Sequence, residues 1–278
     1  MITVGIPTLN GPGRLQRVLE SIIECTHLDG VRVLVCDDGS MPEHLHTNGR
    51  VIEHCAKRLP GLEFFTNDAR RGIACSWNRL TRKYSDADVV VLLNDDVEVV
   101  KDWLDVLAFS LRANECTGMV GLNSFMHLTK EQHAKLHPNA QPHERVPLVD
   151  YRQASLLDGG GSMLSAQGPI FGFRREVYDL VGGFDEMYFC FYEELDFAVR
   201  LRHQGFFSFM ASHPMCYHMG GATNSDPQNL DANSQLAKSR SLFIEKWGKT
   251  PSQLRDEFLP TYKRPPLREW NSQLANWK

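Results

Sequence analysis

Near residue 95 the chain reads Val89-Val90-Val91-Leu92-Leu93-Asn94-Asp95-Asp96-Val97, an apolar run that stops at an amide and two carboxylates. Five aliphatic residues in succession show no alternation of polar and apolar faces. They are expected to form a strand buried on both sides, as in a parallel sheet. Carboxylates at the carboxyl end of such a strand sit where open α/β sheets bind ligands. Crowded anions repel one another unless a cation or a proton intervenes. A hard divalent metal bridging to phosphate oxygens is the natural occupant. The plain alternative is a strand end that emerges into water.

The segments before this run alternate between strand and helix signals, the pattern of βαβ units and a mainly parallel sheet. Strands are expected at Thr3–Ile6, Val31–Cys36 and Leu62–Phe65, and helices at Leu15–Cys25, Val51–Arg58 and Ile73–Tyr84. Right-handed crossovers place the strand ends on one edge, so Thr8, Asp38 and Asp96 should converge. From His127 to Arg152 the periodicity fades into Pro, His, Asn and Gln, as in an insertion or loop. A Gly-rich stretch, Asp158 to Ser162, follows before structure resumes at Ile170. The tail from Asn224 carries a helix around Ser234–Trp247 and ends in basic, Pro-rich and aromatic sequence.

At 278 residues the chain can bury a core the size of one large domain or one and a half. A net charge of −4 and a pI near 6.3 leave no electrostatic footprint for nucleic acid beyond a local basic groove. No apolar stretch approaches membrane-spanning length, and no signal-peptide pattern precedes the first strand. The seven cysteines are odd in number and form no CxxC pair, so they read as reduced thiols of a cytoplasmic protein.

Seven segments line up in order. Ile6-Pro7-Thr8-Leu9-Asn10 ends the first strand and Cys36-Asp37-Asp38-Gly39-Ser40 the second; Arg70-Arg71-Gly72 through Asn78 opens a helix; Asn94-Asp95-Asp96 ends the buried strand. Gly182-Gly183-Phe184-Asp185-Glu186, Tyr192-Glu193-Glu194-Leu195-Asp196 and Tyr217-His218-Met219-Gly220-Gly221 follow. In this order and spacing they resemble the family 2 glycosyltransferases of the GT-A fold, over roughly residues 2–247. The resemblance implies an α/β fold with a Rossmann-like, mainly parallel sheet flanked by helices. It implies a nucleotide-sugar-binding half over 1–122, an acceptor-binding and catalytic half over 123–223, and a helical C-terminal extension over 224–278.

The resemblance also implies roles. Asp38 would accept the imide hydrogen of a uracil ring, a task that suits an acceptor-only carboxylate; the plain reading of Asp38 is a turn residue before Gly39. Pro7 and Thr8 would pack beside the base. Asn10, Arg71, Asn78 and Asp95 fall at donor-contacting positions, and Asn94 replaces the first acid of the Asp-x-Asp motif, as in members that add deoxysugars. Asp96 and His218 would ligate Mn²⁺, with Mg²⁺ the harder substitute. Glu194 would be the general base that activates the acceptor hydroxyl, although the family more often carries Asp there. Glu193 and Asp196 compete for that role; Asp196 with Arg200, four apart, reads as a helix ion pair. Asp185 and Gly172 would face the acceptor or donor sugar.

The expected activity is therefore inverting, metal-assisted sugar transfer from a nucleoside-diphosphate sugar, UDP or thymidine-based, to a glycan or other hydroxyl acceptor. Nucleic acid enters only as an acceptor, kept open by Lys263, Arg264 and Arg268 beside Tyr262 and Trp270. Two other readings are a sugar-phosphate nucleotidyltransferase, hinted at by Asn10-Gly11-Pro12-Gly13, and a non-catalytic sugar-nucleotide or glycan-binding module on the same scaffold. His133 and His137, four apart and flanked by His127 and His143, would form a structural zinc site or part of an acceptor-facing flap. Oligomeric state is not legible.

Overall fold

The computed structural model describes residues 1–126, 168–220 and 231–258, with Thr129, Glu131 and Lys135. The histidine cluster, the Gly-rich stretch and the basic tail lie outside the described residues. The strands are β1 (Ile2–Thr8), β2 (Val31–Asp37), β3 (Leu62–Thr66), β4 (Val89–Leu93), β5 (Val97–Val99), β6 (Thr117–Met126), β7 (Ile170–Arg174) and β8 (Phe207–His218). The helices are α1 (Pro12–Cys25), α2 (Pro42–Ala56), α3 (Ile73–Arg82), α4 (Trp103–Arg112), α5 (Arg175–Val181), α6 (Glu193–His203), α7 (Ala232–Trp247) and α8 (Pro251–Phe258).

The strands form one sheet in the order β3-β2-β1-β4-β7-β6-β8-β5. β1, β2, β3 and β4 run parallel, β7 runs against both β4 and β6, and β6 and β8 are parallel again. β4 is buried throughout, as its composition demands. Val89, Val91 and Leu93 enter the core on one face, while Val90 and Leu92 enter the core on the other. α1 starts at Pro12, whose fixed φ suits a first helical position, and lays Leu15, Val18, Leu19 and Ile22 onto the sheet.

The structure adds β5, β6, β8, α4, α5 and α8 to the expected elements and starts α2 earlier. α2 starts at Pro42, nine residues before the apolar run at Val51, with Pro at its first position, and buried Asn48 in its second turn donates to Asp37 Oδ2 at 2.8 Å. α4 was not anticipated; it follows Asp102, which sits at φ 64°. No helix among the described residues is long and apolar enough to cross a membrane.

Candidate active site

The parallel register sets Thr8 beside Asp37, and backbone N–H of Asp38 donates to Thr8 O at 2.9 Å. The ends of β1, β2 and β4 therefore open onto one cavity of about 270 Å³. Pro7, Thr8, Asp38, Asn94, Asp95 and Asp96 line it from the sheet side. Glu193 and Glu194 line it from the start of α6.

Asp37 and Asp38 divide their work. Asp37 is fully buried and accepts from Ser40 N and Ser40 Oγ, each at 2.7 Å, and from Asn48. It builds the turn. Asp38 accepts from Asn67 Nδ2 at 2.5 Å and Arg71 N at 2.9 Å on Oδ1, and from Gly72 N at 2.9 Å on Oδ2. Burial pushes its pKa up, and these donors work in the opposite direction. Ser76 also acts on this carboxyl as a donor, and Asp38 lines the cavity.

Asp95 and Asp96 are adjacent but differ in partners. Asp95 accepts from Thr8 Oγ1 at 2.7 Å and from Arg14 Nε at 3.2 Å, so a guanidinium from α1 answers its charge. Burial still raises its pKa. Asp96 lies beside His218 because antiparallel pairing of β5 with β8 sets Val97 opposite His218, and Met219 N donates to Asp96 O at 3.1 Å. Asp96 Oδ1 and His218 Nε2 stand 3.1 Å apart, yet neither is hydrogen-bonded among the described residues. Two ligands at right angles and about 2.1–2.2 Å from one cation lie about 3 Å apart, so this pair fits a divalent metal. No third His, Cys, Asp or Glu joins them among the described residues.

The carboxylate pair is presented by a strained turn. Phe191 and Tyr192 both have positive φ, 68° and 73°, immediately before α6. Such geometry costs on the order of 1–3 kcal/mol per residue and persists only where surroundings enforce it. Asn78 pins the chain upstream of that turn, at residues 184 and 186. It accepts from Tyr178 OH and Phe184 N and donates to Phe184 O and Glu186 Oε1, all within 2.7–2.9 Å. Glu193 Oε2 is buried without a partner among the described residues. Burial and the neighbouring Glu194 charge raise the Glu193 pKa well above its usual range. Burial also raises Glu194, while the Glu194 and Leu195 amides at the helix start pull it back down. Of the two carboxyls, Glu193 is thus pushed further above the ordinary glutamate range.

The remaining residues singled out from sequence sit elsewhere. Arg71 contributes its backbone N–H to Asp38; the side chain that lines the cavity is Arg70, whose Nε is buried without a partner among the described residues. Asn10, at φ 51°, ties the β1 and β2 loops together through Ser40 Oγ and Met41 N. Asn78 is engaged with Tyr178, Phe184 and Glu186 as above. Gly172 faces the core, where a Cβ would meet Leu107 Cδ2 at 2.5 Å. Asp185 is bound to Lys246 Nζ at 2.6 Å, and fully buried Asp196 pairs with Arg200 Nε at 2.8 Å. Arg14, Asn67 and Arg70 were missed. Their partners lie far away in sequence, and Arg70-Arg71 offers no way to tell its two members apart.

The family model "Glycosyl transferase family 2" matches residues 3–182, and the chain belongs to that family. The nucleotidyltransferase and binding-module readings are thereby set aside. The chain is 26% identical over 262 residues to an N-acetylglucosaminyl-diphospho-decaprenol L-rhamnosyltransferase of Mycobacterium tuberculosis, covering 84% of this chain and 80% of that one. It is 23% identical over 255 residues to the uncharacterized protein y4gI of Sinorhizobium fredii, covering 89% of this chain but 27% of that relative's length. Among solved structures, the mannosyltransferase PcManGT from Pyrobaculum calidifontis, in complex with GDP-Man and Mn²⁺, superposes with a TM-score of 0.62 at 19% identity, covering 92% of this chain and 67% of that one. S. aureus TarS in complex with UDP-GlcNAc gives 0.61 at 14% identity, covering 93% and 71%.

Proposed function

We propose that the chain transfers a sugar, with inversion, from a uridine or thymidine diphosphate sugar to a hydroxyl of a glycan or glycan precursor. The observation that carries this reading is the Asp96–His218 pair, two unsatisfied ligand atoms 3.1 Å apart beside the cavity. Asp96 and His218 would hold Mn²⁺ or Mg²⁺, which when bound supplies Lewis-acid stabilisation of the departing diphosphate.

The chain's own groups do the rest. Asp38, which lines the cavity, accepts the imide N–H that uracil and thymine share, and Pro7, Thr8 and Ile73 wall the base. Arg70, within the same lining, adds positive charge toward the nucleotide. Trp77, Phe171 and Phe191 keep water from the reacting face. Glu194 takes the acceptor proton, and the stronger upward push on the Glu193 pKa favours a neutral neighbour beside it. A single base opposite the leaving group implies direct displacement and an inverted anomeric centre.

The rhamnosyltransferase relative makes a deoxyhexose the first donor sugar to try. Reduced cysteines fit work in the cytoplasm. No observation among the described residues favours a nucleic-acid acceptor. The test is diphosphate release from a panel of UDP-, dTDP- and GDP-sugars, with Mn²⁺ or chelator, and the anomeric configuration of any product. Metal-dependent release from a UDP- or dTDP-sugar with inversion is expected; a retained configuration would refute the single-base mechanism.

A further inference from the structure

Outside the segment that matches the family model, one helix touches the base-bearing turn on both of its sides. α7 is well defined locally: Asp231 accepts from Asn233 N and Ser234 N at its start, and Gly248 closes it at φ 64°. Ser239, Phe243, Lys246 and Trp247 lie on one of its faces, at the spacing of successive turns. Buried Ser239 donates to Cys190 O at 2.7 Å, just before the strained pair. The Phe243 ring, fully buried, sits 5.3 Å from that of Tyr192, the second strained residue. Lys246 Nζ bridges Asp185 Oδ2 at 2.6 Å and Asp196 Oδ1 at 2.8 Å, and Trp247 Nε1 donates to the same Asp196 oxygen at 3.0 Å. Asp185 precedes the turn, and Asp196 stands three residues beyond Glu193 on α6.

We infer that α7 is a splint for the catalytic carboxylates, with Lys246 as a positioning residue that acts on Glu193 and Glu194 through Asp185 and Asp196. The inference rests on the reading of Glu194 as the base. Two consecutive left-handed residues without glycine relax unless held, and the contacts at residues 185, 190, 192 and 196 hold the turn from either side. A carboxylate displaced by about 1 Å loses roughly a hundredfold in rate while the nucleotide site, built on β1, β2 and α3, stays intact.

The experiment compares wild type with K246M, K246R and S239A in three assays. These are calorimetric UDP binding with Mn²⁺, turnover of whichever UDP- or dTDP-sugar wild type hydrolyses or transfers, and hydrogen exchange of the 185–196 amides. K246M is expected to bind UDP within about twofold of wild type. Its kcat should fall 10- to 100-fold at little changed KM, and exchange over 185–196 should speed by at least tenfold. K246R is expected to recover most of the rate. Unchanged kcat and exchange in K246M would overturn the inference. So would UDP affinity lost in step with kcat, which marks a general loss of structure. Should K246M fail to fold, S239A decides: a severalfold lower kcat with intact UDP binding supports the splint, and wild-type turnover overturns it. If E194Q itself transfers normally, the base assignment has failed rather than the splint.

Discussion

Gly72 joins the Asp38 side of the cavity to the carboxylate-pair side, and Gly72→Ala should sever that joint. Its backbone lies at φ 90° and ψ 169°, a region essentially reserved for glycine, so any side chain costs about 1–3 kcal/mol in strain. A Cβ would stand 2.4 Å from Phe189 O and 2.9 Å from Phe189 Cδ2. Restoring even a 3.0 Å contact moves the Phe189 carbonyl by about 0.6 Å, which stretches the 2.9 Å bond it accepts from Ile73 N. That bond is worth about 0.5–1.5 kcal/mol. The sum is about 2–4 kcal/mol, read as a lower urea midpoint at constant m. Gly182 is the control: it also has positive φ, 86°, but a Cβ there meets nothing within 4 Å, so Gly182→Ala should cost only about 1–2 kcal/mol. If Gly72→Ala is no more destabilising than Gly182→Ala, the contact between Gly72 and the base-bearing segment does not carry the load assigned to it.

Glu194→Gln should bind nucleotide normally and stop transfer, whereas Glu193→Gln should stay active, because the proton of the acceptor goes to Glu194 and not to Glu193. Glu193 has its pKa raised by folding, so it favours the fold below the usual glutamate range and disfavours it as pH climbs through the raised value. Glu193→Gln should accordingly gain stability over wild type at pH 7–8 and lose that advantage toward pH 4 in thermal melts. Arg14→Met should destabilise by about 3–5 kcal/mol at neutral pH by stranding the buried Asp95 carboxylate. The Asp95 pKa, already raised by burial, would rise further, so that variant should regain stability as pH falls from 8 to 5. Wild-type-like melts for Arg14→Met would show that Asp95 does not depend on it.

Local composition carried the sheet. An unbroken aliphatic run can only be satisfied between two cores, and β4 splits its residues between them. The convergence of Thr8, Asp38 and Asp96 followed from crossover handedness alone. Pairings between distant residues were not legible. The Arg14–Asp95 contact spans 81 positions, and the placement of His218 depends on which residue of β8 faces Val97. Asn78, Gly172 and Asp185 were read as ligand contacts because the resemblance marks their motifs; an amide that satisfies four backbone and side-chain partners looks, in sequence, the same as one that meets a substrate. α4 had a readable stripe in Leu104, Leu107 and Leu111, but its start carries no side-chain cap to announce it.

The most direct measurement is calorimetric titration of UDP and dTDP into wild type and Asp96→Ala, each with Mn²⁺ and with chelator. The account predicts that wild type binds at least one of the two with Mn²⁺ and loses ten-fold or more in affinity on chelation. Asp96→Ala should bind weakly under both conditions. Equal affinity with and without metal, or no binding of either diphosphate, would contradict the site as described.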